Sequence, residues 1–338
     1  MMSKRRRCED EQPERRKHLY LVLDDWSNGF SIYKMGSDSF DDSNDKKLPE
    51  PAMLRLESLV ERMPHSYISF SLLGTRIFVF MNQRCALVYN TETASMAVGP
   101  HVPAQMLCGG GIMVVAGDKL YALSYGRFKK YQHSFQVMSW APTDPGFLRC
   151  PTEGWSWKTL PPPPPTFTPR QGVTSYALHT DGCTIFMTTA NQDAPGDRLG
   201  TYSFNTKHSQ WKWHGEWALP FVGQGYFDSE LDAWVGLRRD GYICSCQVAS
   251  RTSLVTKLGA TLTYLGRKSK YCLVESVIQQ GFDREHAFGD HQGYVLNVTI
   301  FRLSRNHKGE LQTTNHNSTR SYLVSRHNSV FSPLAFWI

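Results

Sequence analysis

The sequence predicts an all-β fold, and three observations support this prediction. Aromatic residues make up 12% of the 338 residues and include nine Trp and fifteen Tyr, and such rings pack well on the pleated surface of strands. From Ser66 onward, apolar runs of about five to seven residues alternate with short polar corners, as strands alternate with turns. Similar groups of runs recur about every 45 residues, which is a period typical of repeat folds.

Each repeating unit begins with two apolar runs joined by a polar corner, which predicts a β-hairpin. A third apolar run, a polar turn and a fourth run follow in most units. Residues 126–154 form the longest interruption between runs, and we interpret them as an insertion. Four strands per unit at this spacing indicate the blades of a β-propeller. The five corners lie near residues 74, 117, 181, 231 and 268.

Two segments repeat each other closely, YNTETASM at residues 89–96 and FNTKHSQW at residues 204–211. We place Asn-Thr in the turn between third and fourth strands, where an Asn side chain can bond to its own backbone. Met96 and Trp211 are then expected to open the fourth strand and to pack against the neighbouring blade.

Two pairs of Trp residues have period-two spacing, which puts both rings of a pair on one strand face. We interpret these rings as core between blades, since large aromatic side chains mostly serve packing. An exposed platform for a sugar or a peptide is the alternative. The pairs are Trp155 with Trp157 and Trp211 with Trp213.

Both chain ends complete the predicted ring. Five units cover residues 66–312, and the hairpin pattern at 19–35 together with the apolar runs at 321–338 provides a sixth. A blade built from both ends removes the exposed edges of an open sheet. The prediction is therefore a six-bladed β-propeller closed by strands from both chain ends, with five or seven blades as alternatives.

One short N-terminal helix is predicted between residues 48 and 63, where Pro lies near the start and apolar residues follow at roughly helical spacing. The spacing involves Met53, Leu54, Leu56, Leu59, Val60 and Met63.

Charge divides the chain into a tail and one domain. The formal net charge of the chain is +7. Residues 1–17 are strongly basic, whereas residues 36–50 are acidic. Both segments lack the apolar residues that a stable folded structure requires. We predict a disordered basic tail at 1–17, a single propeller domain at 18–338 and an acidic loop at 36–50. The tail indicates either nuclear import or nucleic-acid contact, or only a solvated, solubilising segment. Its basic residues are Lys4, Arg5, Arg6, Arg7, Arg15, Arg16 and Lys17.

Location and partners follow from what the sequence contains. The basic N-terminus has no apolar segment of a secretory signal, and no run of 18 apolar residues exists. Eight scattered Cys without a CxxC pair indicate free thiols in a reducing compartment. We therefore expect a cytoplasmic or nuclear protein that contacts no membrane. The repeats show no basic stripe with exposed aromatic residues, so any weak nucleic-acid contact is expected of the tail alone.

The units resemble kelch repeats. The nearest match is CGGGIMVVAGDKLYALSY at residues 108–125, and YNTETASM and FNTKHSQW match the later half of the repeat. More widely, KHLYLVLDDWSNGFSIYKM near the start and HNSVFSPLAFWI at the end resemble a plant family of kelch-like domain proteins of unknown function that is expanded in grasses. The resemblance covers nearly the whole chain from about residue 17. It implies a kelch-type propeller and brings no catalytic residues.

Several polar patterns have an ordinary structural reading beside a functional one. The glycines at 109–111 precede a strand, so strand entry is favoured over a phosphate loop. Asp24 and Asp25 are adjacent on a strand and point to opposite faces, which excludes easy acid–base cooperation. The proline run at 160–169 suits either recognition by an aromatic groove or a stiff connector. The group of His286, Asp290 and His291 suits either a metal ion or a polar loop.

The sequence nominates no catalytic residue, cofactor or metal ligand, and we expect the protein not to be an enzyme. We predict a scaffold that binds an unidentified protein partner through its loops, with residues 126–154 as the specificity loop. Two alternatives stay open. One is a substrate receptor associated with a ubiquitin ligase, and the other is a propeller enzyme or lectin that acts on a carbohydrate.

Overall fold

The computed structural model describes residues 17–36, 47–57, 68–81, 85–106, 109–126, 133–142, 153–168, 171–191, 200–246, 259–266, 268–328 and 331–338. Within these ranges the chain is almost entirely β-structure, and a single 3₁₀ turn at Ala104–Met106 is the one helical element. The predicted all-β class is confirmed. No helix of the described ranges has the length and apolar character needed to cross a membrane.

The strands form six antiparallel units, numbered here along the chain. Unit 1 has the order β23-β1-β2-β3, and its strands are β1 (His18–Trp26), β2 (Gly29–Gly36), β3 (Leu54–Glu57) and β23 (Leu334–Trp337). Unit 2 contains β4 (Ser69–Leu73), β5 (Arg76–Phe80), β6 (Ala86–Asn90) and β7 (Ser95–Val98). Unit 3 contains β8 (Gly109–Ala116), β9 (Lys119–Gly126), β10 (Ser134–Pro142) and β11 (Glu153–Thr159).

The later units follow the same order along the chain. Unit 4 contains β12 (Gln171–Leu178), β13 (Thr184–Asn191), β14 (Gly200–Asn205) and β15 (Gln210–Gly215). Unit 5 contains β16 (Val222–Asp228), β17 (Ala233–Leu237) and β18 (Ile243–Cys246), and a parallel pairing of β12 with β16 joins units 4 and 5 into one seven-stranded sheet. Unit 6 contains β19 (Ala260–Tyr264), β20 (Lys270–Ile278), β21 (Gly289–Arg305) and β22 (Leu311–Arg326).

Apolar clusters lie between consecutive units, and alternation of side chains along the strands explains them. In β1, for example, Leu19 and Leu21 face unit 6, whereas Tyr20 and Val22 face unit 2. A strand covered on both faces reads as a continuous apolar run, which is why LYLVL has no polar position. The clusters join units 1 and 2 (Val22, Ile77), 2 and 3 (Phe80, Met138), 3 and 4 (Phe135, Phe204), 4 and 5 (Ala177, Trp234), 5 and 6 (Val235, Leu262), and 6 and 1 (Leu296, Leu21).

The predicted helix at 48–63 is wrong in the part that the structure describes. Leu54–Glu57 is strand β3 and pairs with Gly29–Ile32 of β2. Leu54 and Leu56 are two residues apart, so they share the strand face that packs in the cluster of units 1 and 2, while Arg55 and Glu57 are exposed. Residues 58–63 of the predicted helix lie outside the described residues.

The interpretation of residues 126–154 as an insertion is also wrong for their central part. Ser134–Pro142 forms β10, the third strand of unit 3, which pairs with β9 on one side and with β11 on the other. The segment thus supplies a core strand, and Phe135 and Met138 are buried.

The two repeated segments adopt the predicted turn. The Asn90 side chain accepts a hydrogen bond from the Glu92 amide (3.0 Å), and that of Asn205 accepts from the amides of Lys207 and His208. Their fourth-strand markers differ, however. Trp211 packs in the cluster of units 3 and 4, whereas Met96 is 41% exposed, so its expected packing against a neighbouring blade is wrong.

Candidate functional site

All six units contribute strands to the lining of a shared cavity of about 390 Å³. These strands are β4, β8, β12, β16, β17, β19 and β23, and unit 5 provides two of them. The cavity therefore draws on segments spread over the whole chain, from Phe70 to Trp337. Sites of this origin are positioned by the packing of the units and not by one loop.

The lining of this cavity is neutral. Among the described residues around it, none is Asp, Glu, Lys, Arg or His, and the remaining lining residues are mainly aliphatic or aromatic. The polar side chains of the lining belong to Ser71, Tyr176, Gln224, Tyr226, Thr261, Thr263, Tyr264 and Trp337. They are hydroxyl groups, one carboxamide and one indole N–H, which can bind polar atoms without carrying charge.

Two threonine hydroxyls in the lining connect unit 6 to unit 1. Thr261 Oγ1 donates to the Pro333 carbonyl (2.6 Å), and Thr263 Oγ1 donates to the Ala335 carbonyl (3.0 Å). From Thr261 to Thr263 and from Pro333 to Ala335, both partners advance by two residues in the same direction. The strands β19 and β23 therefore run parallel to each other. Since each hydroxyl has used its single proton, it can offer only lone pairs to a bound molecule.

Three tyrosines lie near the ends of neighbouring lining strands. Tyr176 on β12 is paired with Gln224 on β16, two positions before Tyr226. The ring centroids of Tyr226 and Tyr264 are 6.4 Å apart. Burial raises the pKa of Tyr226, with a further contribution from Tyr176 and an opposing one from the Thr263 hydrogen bond. Burial also raises the pKa of Tyr264. Both phenols therefore remain protonated and can donate at neutral pH.

Sequence reasoning missed this constellation. A signal was present, because Tyr occurs in the first strand of three consecutive units, in SYALH, GYF and TYL. The residues that face a cavity cannot be separated from those that face a neighbouring unit by alternation alone, since both positions accept aromatic side chains.

The two adjacent carboxylates predicted not to cooperate have separate partners. Asp24 is 1% exposed, lies 3.6 Å from Arg326 and accepts from the Asn328 amide at 2.7 Å. Burial raises the pKa of Asp24, and Arg326 opposes that shift. Asp25 instead accepts a hydrogen bond from the Tyr33 hydroxyl. The pair therefore ties strands together, and Asp24 binds unit 1 to unit 6.

The histidine and aspartate residues considered as metal ligands are not brought together. His286 lies 2.7 Å from Asp283, whereas Asp290 lies 3.3 Å from His327, and His291 is exposed. In the part of the chain that the structure describes, no group of three or more His, Cys, Asp or Glu side chains could hold a metal ion.

The described cysteines at 85, 183, 244, 246 and 272 are free thiols. Burial raises the pKa of Cys244 to about 12 and that of Cys246 to about 11. Thiols with such pKa values stay protonated at neutral pH and are poor nucleophiles.

The Trp pairs form inter-unit contacts, as the packing interpretation predicts. Trp155 meets Phe78 at 5.1 Å and Trp157 meets Phe80 at 5.5 Å, across units 3 and 2. Trp211 packs on Phe135 of unit 3. The partial exception is Trp213, which is 44% exposed.

The three glycines, the proline run and the basic tail contribute no described residue to the cavity lining. Gly109–Ala116 is strand β8, so the three glycines enter a strand. In the proline run, the Pro161 carbonyl accepts a hydrogen bond from Trp211 Nε1 (3.0 Å). Of the basic tail, residues 1–16 lie outside the described residues, and Lys17 is exposed.

A family model described as protein of unknown function (DUF1668) matches residues 16–322. The chain belongs to this family. No relative among the curated proteins matches the chain. The kelch character and the plant source implied by the sequence resemblance stay predictions.

Solved structures match the chain at low identity. The periplasmic gluconolactonase PpgL of Pseudomonas aeruginosa is 12% identical, with 95% of this chain and 99% of that chain covered and a TM-score of 0.42. AztD of Citrobacter koseri is 9% identical, with 96% and 98% covered and a TM-score of 0.39. Neither likeness carries an argument about function at these scores.

Proposed function

We propose that this DUF1668 protein is a non-catalytic binding scaffold, built as a six-bladed, kelch-like β-propeller whose exposed hairpins hold a protein partner. Six antiparallel units, a cluster between each consecutive pair, and a cluster between the last unit and the first support the closed ring. A ring of this kind leaves only short strand edges at the outside of its blades and presents its connections at two rims.

The exposed indole of Trp140 is the observation that carries the binding role. Trp140 lies near the end of β10 and is 53% exposed. Its ring meets Trp155 at 5.4 Å in a T-shaped contact, and Trp155 in turn meets Phe78 of unit 2 at 5.1 Å. The exposed ring thus packs on a partly buried aromatic contact, and Trp is among the residue types enriched in interface hot spots.

A partner-capture experiment in the native cell tests this role. The full chain and its Trp140→Ala variant are each fused to a proximity-labelling enzyme. We expect the variant to lose its main labelled partner, because removal of an interface hot spot weakens binding by about 2 kcal/mol. Trp213→Ala is the matched control, because Trp213 is also partly exposed but lies on β15 of unit 4. An unchanged partner set for Trp140→Ala contradicts the proposal.

The same experiment separates the remaining possibilities of location and assembly. We propose that the basic tail directs nuclear import, and removal of residues 1–17 is then expected to move the labelled set from nuclear to cytoplasmic proteins. An unaltered set contradicts import. A cullin or its adaptor among the labelled proteins would instead favour the ubiquitin-ligase receptor.

A further inference from the structure

We propose that the shared cavity binds a neutral, polyhydroxylated small molecule of about monosaccharide size. The lining strands of the six units surround about 390 Å³, which lies at the small end of the range of about 300 to 1,000 Å³ that is typical of small-molecule sites. This role is independent of the Trp140 hairpin, which is not among the lining residues.

The charge of the lining selects a neutral ligand. None of the described lining residues carries a charged side chain. A carboxylate, phosphate or ammonium group that entered the cavity would lose its water without gaining an opposite charge, which is strongly unfavourable. Charged sugars and nucleotides therefore fit poorly.

The polar groups select a ligand with many hydroxyls. The phenol of Tyr264 stays protonated and can donate, whereas the hydroxyl of Thr261, already committed as a donor to Pro333, can only accept. Gln224 is exposed within the lining and can do both. A purely apolar ligand would cover Gln224 and the Tyr264 hydroxyl without offering them a hydrogen bond, which costs free energy.

The aromatic rings provide the apolar part of the site. Tyr226 and Tyr264 lie side by side with their rings inclined at 38°, and they are partly exposed. A cyclic polyol has C–H faces and O–H edges, so it can pack on the rings while its hydroxyls reach donors and acceptors around them.

Calorimetry on the purified full chain tests the proposal, with D-glucose, D-galactose and myo-inositol as neutral probes and D-glucuronate and D-glucosamine as charged counterparts. We expect at least one neutral probe to bind with a dissociation constant of about 1 mM or below. The charged counterparts are expected to bind about tenfold more weakly or worse, because the cavity has no counter-charge. Absence of binding by all three neutral probes, or equal binding of charged ones, overturns the proposal.

Variants locate the site. Tyr264→Phe keeps the ring and removes the donor, so we expect about a fivefold to tenfold loss of affinity with an unchanged melting temperature. Gln224→Glu introduces a negative charge of nearly the same shape and is expected to shift the preference toward D-glucosamine. Tyr242→Phe is the control, since Tyr242 is 72% exposed and outside the lining. Binding that both cavity variants leave unaltered places the ligand elsewhere and overturns the assignment.

Discussion

At two of the seams between neighbouring units, different kinds of hydrogen bond hold the adjacent strands together. At the seam of units 4 and 5, strands β12 and β16 run parallel and pair backbone to backbone, from Ser175 with Gly223 to Ala177 with Gly225. At the seam of units 6 and 1, strands β19 and β23 also run parallel, but side chains connect them, because Thr261 and Thr263 donate to backbone carbonyls of the other strand.

Residue size explains the difference. Gly223 and Gly225 have no side chain between the two backbones, and the free space beside Gly225 is filled by the ring of Phe221. At the seam of units 6 and 1, by contrast, threonine hydroxyls make the hydrogen bonds between the two strands. The first seam joins units that follow directly along the chain, whereas the second holds the C-terminal strand by hydrogen bonds between residues 72 positions apart.

The largest effect is expected at the seam of units 6 and 1, from Arg326→Met. Arg326 is 7% exposed and lies beside the buried Asp24 carboxylate. Removal of one partner of a buried ion pair leaves the other charge uncompensated, which costs about 4 kcal/mol. Urea unfolding measures this loss of the free energy of unfolding.

The pH dependence and a double variant identify the cause of that loss. Burial already raises the pKa of Asp24, and without Arg326 it rises further. A carboxyl whose pKa is higher in the folded than in the unfolded state binds its proton more tightly when folded, so stability falls as pH rises between these two pKa values. The deficit of Arg326→Met should thus be smaller at acid pH, and Asp24→Asn added to it should restore stability. A pH-independent deficit contradicts the ion-pair explanation.

Gly225→Ala is expected to have the next effect, at the seam of units 4 and 5. A Cβ at residue 225 would lie 2.3 Å from the Phe221 ring, and that ring is held from its other end by Gly236, where a Cβ would lie 2.4 Å away. The ring cannot move aside without breaking the core, so we expect about 3 kcal/mol of destabilisation in urea unfolding. Gly154→Ala is the control, because nothing lies within 4 Å of the position that its methyl group would take. Equal stability of the two variants contradicts the role of close approach.

Much of the fold could be predicted from the sequence, because turns leave local signals. The corners predicted near 74, 117 and 181 contain Gly74, Gly117 and Gly182, each with a positive φ that favours glycine. Strand β3 was missed because Leu54 and Leu56 alternate over only four residues, whereas Met53, Leu56, Val60 and Met63 have helical spacing over eleven. Strand β10 was missed because long polar segments flank it on both sides.

The candidate site was harder to predict, since it depends on which strands become neighbours across the molecule. Thr261 and Thr263 are inconspicuous in the sequence, and their role appears only when β23 lies beside β19. The lining tyrosines likewise share their residue type with buried core tyrosines such as Tyr202 and Tyr271. Alternation gives the face of a strand but not what covers that face.

Replacement of both seam threonines by valine tests the side-chain connection directly. Thr261→Val with Thr263→Val keeps the shape and removes two donors, and at about 1 kcal/mol for each hydrogen bond we expect a loss of about 2 kcal/mol. Thr299→Val is the control, because its hydroxyl bonds to Thr319 on an exposed face (3.0 Å) and water can replace that contact. A double variant as stable as the control would mean that β23 is held by its pairing with β1 alone.

The smallest effect is expected for Gly223→Ala, which separates backbone conformation from space within one seam. Gly223 has φ +70° and nothing within 4 Å of a Cβ, whereas Gly225 lacks such a φ and has no room. An L-residue in the left-handed region costs about 1 to 2 kcal/mol, and a stiffer unfolded chain recovers part of that, so we expect a net loss of about 1 kcal/mol in urea unfolding. A Gly223→Ala variant less stable than Gly225→Ala would show that the turn of the backbone, and not the contact with Phe221, sets the requirement for glycine where β12 meets β16.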